Sequence, residues 1–161
     1  MRRARKLILA SLVACMFALM SMLSVPAVAA QSDEPEPLKC AMEIDVFWTT
    51  PAHWEGTIIG DIEGSIEFWE GPASAVGMVL HFTEDFTIVT KDGAVITGYE
   101  KGVYNLNTFK FRANGFVTDV TPATSDWAYL VGYTFHEIGT TTVFVVGEPV
   151  HGTATMMLSP P

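Results

Sequence analysis

The sequence is poor in cysteine and in basic residues. Its 161 residues include two cysteines and nine lysines and arginines, against eighteen aspartates and glutamates. Four of the basic residues and none of the acidic ones lie within residues 1–30, so residues 31–161 carry five basic against eighteen acidic side chains, a formal net charge of −13. A surface of that sign repels nucleic-acid phosphates and anionic lipid headgroups. The composition therefore argues against nucleic acid as a partner, and against membrane association once an N-terminal leader is removed.

Cys40 is the only cysteine after residue 30, which excludes an intramolecular disulfide in that part of the chain. An exported domain without this cross-link depends on its hydrophobic core for stability. We interpret Cys40 as a small buried side chain on the apolar face of a strand, beside Met42 and Ile44. An intermolecular disulfide stays open. A catalytic thiolate is disfavoured, because Lys39 is its one basic neighbour in sequence.

Residues 1–30 have the pattern of a cleaved signal peptide. A basic start is followed by the uncharged, mostly apolar residues 7–25, then by Pro26 and the small residues 28–30. We therefore predict a secreted protein. One alternative is an uncleaved membrane anchor formed by residues 7–25. A second is lipidation at Cys15, although cleavage there would leave a long apolar stretch at the new N-terminus.

The remainder has room for one domain. Residues 31–38 are acidic and contain proline, which predicts a disordered linker. Residues 39–161 are then predicted to form a single β-barrel domain, long enough to bury about two-thirds of its unfolded surface. We expect no cofactor.

Helical periodicity is also missing, and strand periodicity takes its place. The clearest case is Gly56 to Phe68, in which even-numbered residues are glycine, isoleucine or phenylalanine and odd-numbered residues are mostly polar. This alternation predicts one long half-buried strand, whose glycines allow the bending that a barrel needs. Similar segments and turns follow to the C-terminus. The pattern predicts an all-β fold, an antiparallel closed or nearly closed β-barrel of about eight to ten strands.

The central strands are bounded by changes in the apolar pattern. We predict strands at residues 76–83, 86–90, 94–99 and 103–111, with the Asp92-Gly93 pair as a hairpin turn. These bounds leave residues 84–85 and 100–102 between strands.

The segment from Trp127 to Ile138 is apolar at both its even and its odd positions. We interpret it as a strand covered on both sides, by barrel core on one face and by a subunit partner or a ligand cavity on the other. Ordinary packing is the competing interpretation. The predicted ligand-lining residues are Ile58, Ile62, Ile66, Phe68, Trp127, Tyr129, Tyr133 and Phe135.

Recognisable catalytic motifs are missing as well. The sequence has no serine nucleophile elbow, no phosphate-binding glycine loop and no paired-cysteine metal motif. Its four histidines are scattered without ligand spacing, so no metal site is predicted. The candidates for proton transfer in a cavity are His136, Glu137 and His81. A hydrogen-bonded structural histidine is the alternative for His81 and His136.

One segment carries a family resemblance. The stretch Asn107-Thr-Phe-Lys-Phe-Arg-Ala-Asn-Gly-Phe-Val117 resembles the part of allene oxide cyclases and dirigent proteins where a Gly-Thr-Gly turn leads into an aromatic, a small residue, a glycine and the next strand. Asn107 stands where the family has a turn glycine. The preceding hairpin, residues 93–104, also matches in position. The resemblance implies a calycin-like barrel with a central apolar cavity, often assembled into dimers or trimers, which holds a reactive apolar substrate.

Three functions stay open on this basis. The first is a secreted β-barrel that binds a small hydrophobic molecule in its lumen. The second is an isomerase or cyclase similar to allene oxide cyclase, so whether the protein is an enzyme is undecided. The third is a non-catalytic extracellular interaction module whose aromatic face forms a homo-oligomer. A carboxylate or histidine facing an apolar cavity would favour the second over plain binding.

Overall fold

The computed structural model describes residues 35–47, 53–143 and 149–161, and this part of the chain is nearly all β. The strands, numbered in chain order, are β1 (Leu38–Phe47), β2 (His53–Gly60), β3 (Gly64–Glu70), β4 (Ser74–Val76), β5 (Val79–Thr90), β6 (Val95–Asn105), β7 (Lys110–Thr121), β8 (Thr134–Thr141) and β9 (Val150–Ser159). The predicted signal peptide and residues 31–34 of the predicted linker lie outside the described residues.

The sheet closes on itself. Its order is β3-β2-β1-β9-β8-β7-β6-β5, and β5 pairs back onto β3. All neighbours are antiparallel. β4 is an additional short strand that pairs with the start of β5. The prediction of an antiparallel closed β-barrel is therefore confirmed, with eight strands in the barrel and one outside it.

The predicted single strand from Gly56 to Phe68 is wrong. The segment is a hairpin of β2 and β3, with residues 61–63 between them. Gly56 lies directly opposite Ile66, so even-numbered residues pair with even-numbered ones across the turn. Opposed residues in an antiparallel pair share a face of the sheet. The alternation therefore continues through the turn, which is why two strands looked like one.

Aromatic rings lie against glycines inside the barrel. Phe82 of β5 is opposite Gly102 of β6, and Phe86 is opposite Gly98. A Cβ atom on Gly102 would lie 2.2 Å from the ring of Phe82, and one on Gly98 would lie 2.3 Å from that of Phe86. Glycine at these positions therefore gives each ring room to lie flat on the neighbouring strand.

One end of the barrel is filled by side chains. The predicted strand from Trp127 to Ile138 is also wrong in its first half, because Ala128–Leu130 is a short 3₁₀-helix and β8 begins at Thr134. The side chain of Leu130 is fully buried, whereas that of Tyr129 is half exposed. The segment is apolar throughout because it closes the barrel end with one set of residues and leaves others on the surface.

One smaller expectation concerns the core. Cys40 is buried, as expected, and its burial raises the pKa of the thiol. The Ile62 amide donates to its Sγ at 3.3 Å. Within the described ranges, no helix has the length and hydropathy to span a bilayer.

Candidate ligand cavity

An internal cavity of about 250 Å³ occupies the other end of the barrel, where β1 leads to β2 and β8 leads to β9. The residues that line it are the inward-facing ones of the strand segments at this end. Most of the wall is apolar, and much of it is aromatic: Trp54, Phe68, Phe82, Tyr104 and Phe111. Four glutamates share the cavity with these rings: Glu70, Glu84, Glu100 and Glu137.

Cross-strand pairing brings the glutamates together. Glu84 of β5 lies directly opposite Glu100 of β6 on one side and Glu70 of β3 on the other. Each has the same phase as the apolar residues of its strand, as Glu84 has between Phe82 and Phe86. Like charges in directly opposed positions destabilise a sheet when both are ionised. This row must therefore hold protons, a counter-charge, or both.

Glu137 joins the row from β8, across the intervening strand β7. The inward residues of β7 at this level are small: Gly115 lies opposite Glu100, and Ala113 lies opposite Glu137. A Cβ on Gly115 would come within 1.9 Å of the Tyr99 carbonyl oxygen. These small residues leave room above β7, and the carboxyl of Glu100 is hydrogen-bonded with that of Glu137.

The three most buried carboxyls hold their protons at unusually high pH. Burial raises the pKa of Glu84 to about 7, and hydrogen bonds with Glu100 and Trp54 oppose this rise. Burial, followed by the charge of Glu84, raises the pKa of Glu137 to about 8. The pKa of Glu100 is raised further still, by burial and by the charges of Glu137 and Glu84.

One carboxyl oxygen of Glu100 is buried without a hydrogen-bond partner. Glu100 is 1% exposed, and among the described residues its Oε2 atom has no hydrogen-bond partner. A buried polar atom without a partner costs about 1–3 kcal/mol. Among the described residues, that atom is the only buried side-chain oxygen without a hydrogen-bond partner, and a donor group on a ligand would supply one.

The predicted ligand-lining residues divide between the two ends of the barrel. Phe68 lines the cavity. Ile58, Ile62, Ile66, Tyr133 and Phe135 are buried in the barrel core and are not part of the cavity wall.

The remaining two predicted lining residues, Trp127 and Tyr129, lie in the segment that closes the filled end. The indole Nε1 of Trp127 donates to the carboxylate of Asp92 at 3.2 Å. The sequence pattern could not show which end of the lumen holds the cavity, and of the eight predicted residues only Phe68 lines it.

Of the three candidates for proton transfer, one faces the cavity and two lie outside it. Glu137 faces the cavity, as the second hypothesis requires. His136 follows the opposite phase of β8, and its Nδ1 lies 2.7 Å from the Asn114 Oδ1 on the outer surface. His81 is exposed on β5.

Sequence reasoning missed Glu70, Glu84 and Glu100. The predicted strand bounds placed the last two in connections, because a charged residue interrupts an apolar run. A usable signal was present in β6, where Glu100 shares its even-numbered phase with Ile96 and Tyr104. An acidic residue in phase with apolar neighbours on both sides predicts a carboxyl that faces the core.

A possible metal-ligand group lies on the outer surface, although no metal site was predicted. His53 and Glu55 of β2 and Glu67 of β3 offer ligand atoms that all lie within 4.8 Å of one another. The His53 ring stacks on that of Trp69 with 3.9 Å between centroids. One nitrogen and two carboxylates suit a cation such as Zn²⁺, which takes four ligands. This group is separate from the cavity, whose wall includes none of the three.

Comparison with known proteins gives no match: no family model, no curated protein and no solved structure is significantly similar to this chain.

Proposed function

We propose that this protein binds a small, mainly apolar molecule in the lumen of its barrel. The observation that carries the proposal is the cavity of about 250 Å³ beside a well-packed core. An engineered cavity of about 150 Å³ binds benzene, so in proportion this one suits a molecule of roughly ten to twelve non-hydrogen atoms. At about 0.5 kcal/mol per atom, such a ligand would bind with a dissociation constant between about 40 µM and 0.2 mM.

Isothermal titration calorimetry with two probes of this size, camphor and 2-naphthylmethanol, tests the proposal. The variant Leu80→Phe adds volume to a side chain of the cavity wall and should weaken binding at least tenfold. Val89→Phe is the matched control, because Val89 lies on the same strand with an exposed side chain. Absence of binding by both probes up to 1 mM would contradict the proposal, as would equal binding by the two variants.

A second candidate function is an isomerase or cyclase similar to allene oxide cyclase. It is favoured by Glu137 and Glu84, whose raised pKa values of about 8 and about 7 suit a general acid and base near neutral pH. The test is exchange of the α-hydrogens of 2-tetralone for deuterium in D₂O, followed by mass spectrometry. Catalysis predicts faster exchange with the native protein than with Glu137→Gln, and equal rates would count against it.

Secretion stays a prediction from residues 1–30. N-terminal sequencing of the protein from the culture medium tests it, with Gln31 as the expected first residue. The homo-oligomer and the interaction module stay predictions from the sequence. The outer surface does carry an exposed aromatic pair, Tyr99 and Phe116, with ring centroids 6.0 Å apart.

A further inference from the structure

The wall of the cavity includes four carboxyl groups and, among the described residues, no basic side chain. Glu70, Glu84, Glu100 and Glu137 enter it from β3, β5, β6 and β8. Every lysine and arginine in the described part of the chain is exposed. The connections at residues 48–52 and 144–148 contain no basic residue in their sequence. Among the described residues, no lysine or arginine is therefore placed to act as a counter-ion for these carboxyls.

Protons neutralise the cluster only while its carboxyls stay protonated. Burial raises the pKa of Glu84 to about 7 and that of Glu137 to about 8, so the cluster as a whole exchanges protons around neutral pH. Any carboxylate that ionises there lies among apolar walls. An ionised carboxylate in such surroundings is costly unless a charge or hydrogen bonds compensate it.

The rest of the wall suits an organic cation. The rings of Trp54, Phe68, Phe82, Tyr104 and Phe111 surround the same space, and aromatic faces attract ammonium groups, most strongly when water is excluded. Ca²⁺ binds oxygen ligands alone and would leave the hydrocarbon part of this wall unfilled, whereas the apolar body of an organic cation can occupy it.

We infer that the preferred ligand is an amine, with an apolar body among the aromatic rings and an ammonium group against the carboxyls of Glu84, Glu100 and Glu137. The inference rests on the proposed binding function. The ammonium supplies three hydrogen-bond donors, one of which can reach the unpartnered Oε2 of Glu100. Its charge replaces the missing counter-ion, so the contact is a charge-assisted hydrogen bond.

Three naphthalene derivatives with nearly the same shape test the inference by calorimetry at pH 7.5. They are 2-naphthylmethylamine, 2-naphthylmethanol and 2-naphthoate. We expect the amine to bind at least tenfold more tightly than the alcohol, and the carboxylate to show no binding. Equal affinity of amine and alcohol would overturn the inference while leaving the binding function intact. Failure of all three to bind would instead remove the binding function.

Variants of single glutamates test which carboxyl binds the ammonium group. Glu84→Gln should weaken amine binding at least tenfold and should weaken binding of the alcohol much less. Glu43→Gln is the matched control, since Glu43 is exposed on the outer face of β1. Circular dichroism verifies that each variant is folded. Binding of Ca²⁺ that depends on Glu84, with no preference for the amine, would also overturn the inference.

The pH dependence provides an independent measurement. The titratable groups that face the site are Glu70, Glu84, Glu100, Tyr104 and Glu137. Below about pH 6 the three most buried carboxyls are protonated, so the tenfold preference for the amine over the alcohol should disappear. A preference that is constant from pH 5 to pH 8 would show that these carboxyls do not hold the ammonium group.

Discussion

Replacement of Glu84 by glutamine should stabilise the barrel at alkaline pH and leave its stability almost unchanged at pH 4.5. The pKa of this carboxyl is near 4.5 when exposed and about 7 in the barrel, mainly because it is buried. A raised pKa means that the folded state binds the proton more strongly than the unfolded state. Glu84 therefore supports folding below pH 4.5, and this support is lost as the pH rises towards 7.

The magnitude follows from the two pKa values. A difference of one pKa unit corresponds to about 1.4 kcal/mol, so the native carboxyl loses about 3 kcal/mol of stabilisation between pH 4.5 and pH 8. Glutamine has nearly the same shape and does not ionise in this range. The unfolding free energy of Glu84→Gln should therefore fall by about 3 kcal/mol less than that of the native protein over the same interval.

Urea denaturation at half-unit steps from pH 4.5 to pH 8.5, followed by circular dichroism, measures this difference. Glu43→Gln is again the control, and its pH profile should run parallel to that of the native protein. If Glu84→Gln also runs parallel, Glu84 does not titrate in the window assigned to it and the reasoning on the cavity charge fails.

Three further predictions concern the packing. Leu130→Ala should lower the unfolding free energy by about 2–5 kcal/mol, because this side chain is fully buried at the filled end, and should leave binding of 2-naphthylmethanol unchanged by calorimetry. Gly102→Ala should cost about 1–3 kcal/mol in urea denaturation, since its Cβ would lie 2.2 Å from the Phe82 ring, and adding Phe82→Leu should recover part of that loss. In a Cys15→Ser background, Cys40 should react with a thiol reagent only on unfolding, and rapid reaction of the native protein would contradict its burial.

The sequence predicted the fold well because a barrel needs only period-two alternation and turns. The prediction was wrong where one sequence pattern is compatible with two different structures. The pattern of Gly56 to Phe68 predicts one strand because the turn at 61–63 keeps even-numbered residues on one face and odd-numbered residues on the other. The pattern of Trp127 to Ile138 predicts one strand because the residues of a short 3₁₀-helix can also be apolar.

The site was harder to predict than the fold. Glu137 is a sequence candidate because it lies within an apolar segment, whereas the predicted strand bounds leave Glu84 and Glu100 between strands. Strands β5 and β6 continue through both positions, because cross-strand hydrogen bonding holds a glutamate as well as an apolar residue. Only the three-dimensional pairing shows that the two carboxyls meet inside the barrel.

The same carboxyls connect stability with binding. At the filled end, large apolar side chains such as Leu130 are fully buried, whereas the cavity end holds directly opposed glutamates and a buried oxygen without a partner. Residues that do not suit their surroundings, such as acidic groups in an apolar interior, are typical of functional sites, where stability is lost in exchange for binding or catalysis. If the glutamates only joined strands through shared protons, glutamine variants would change stability and nothing else. If they hold a ligand cation, the variants that gain stability at pH 8 must also lose affinity for the amine. Measuring both quantities on Glu84→Gln therefore separates a structural role from a binding role in a single variant.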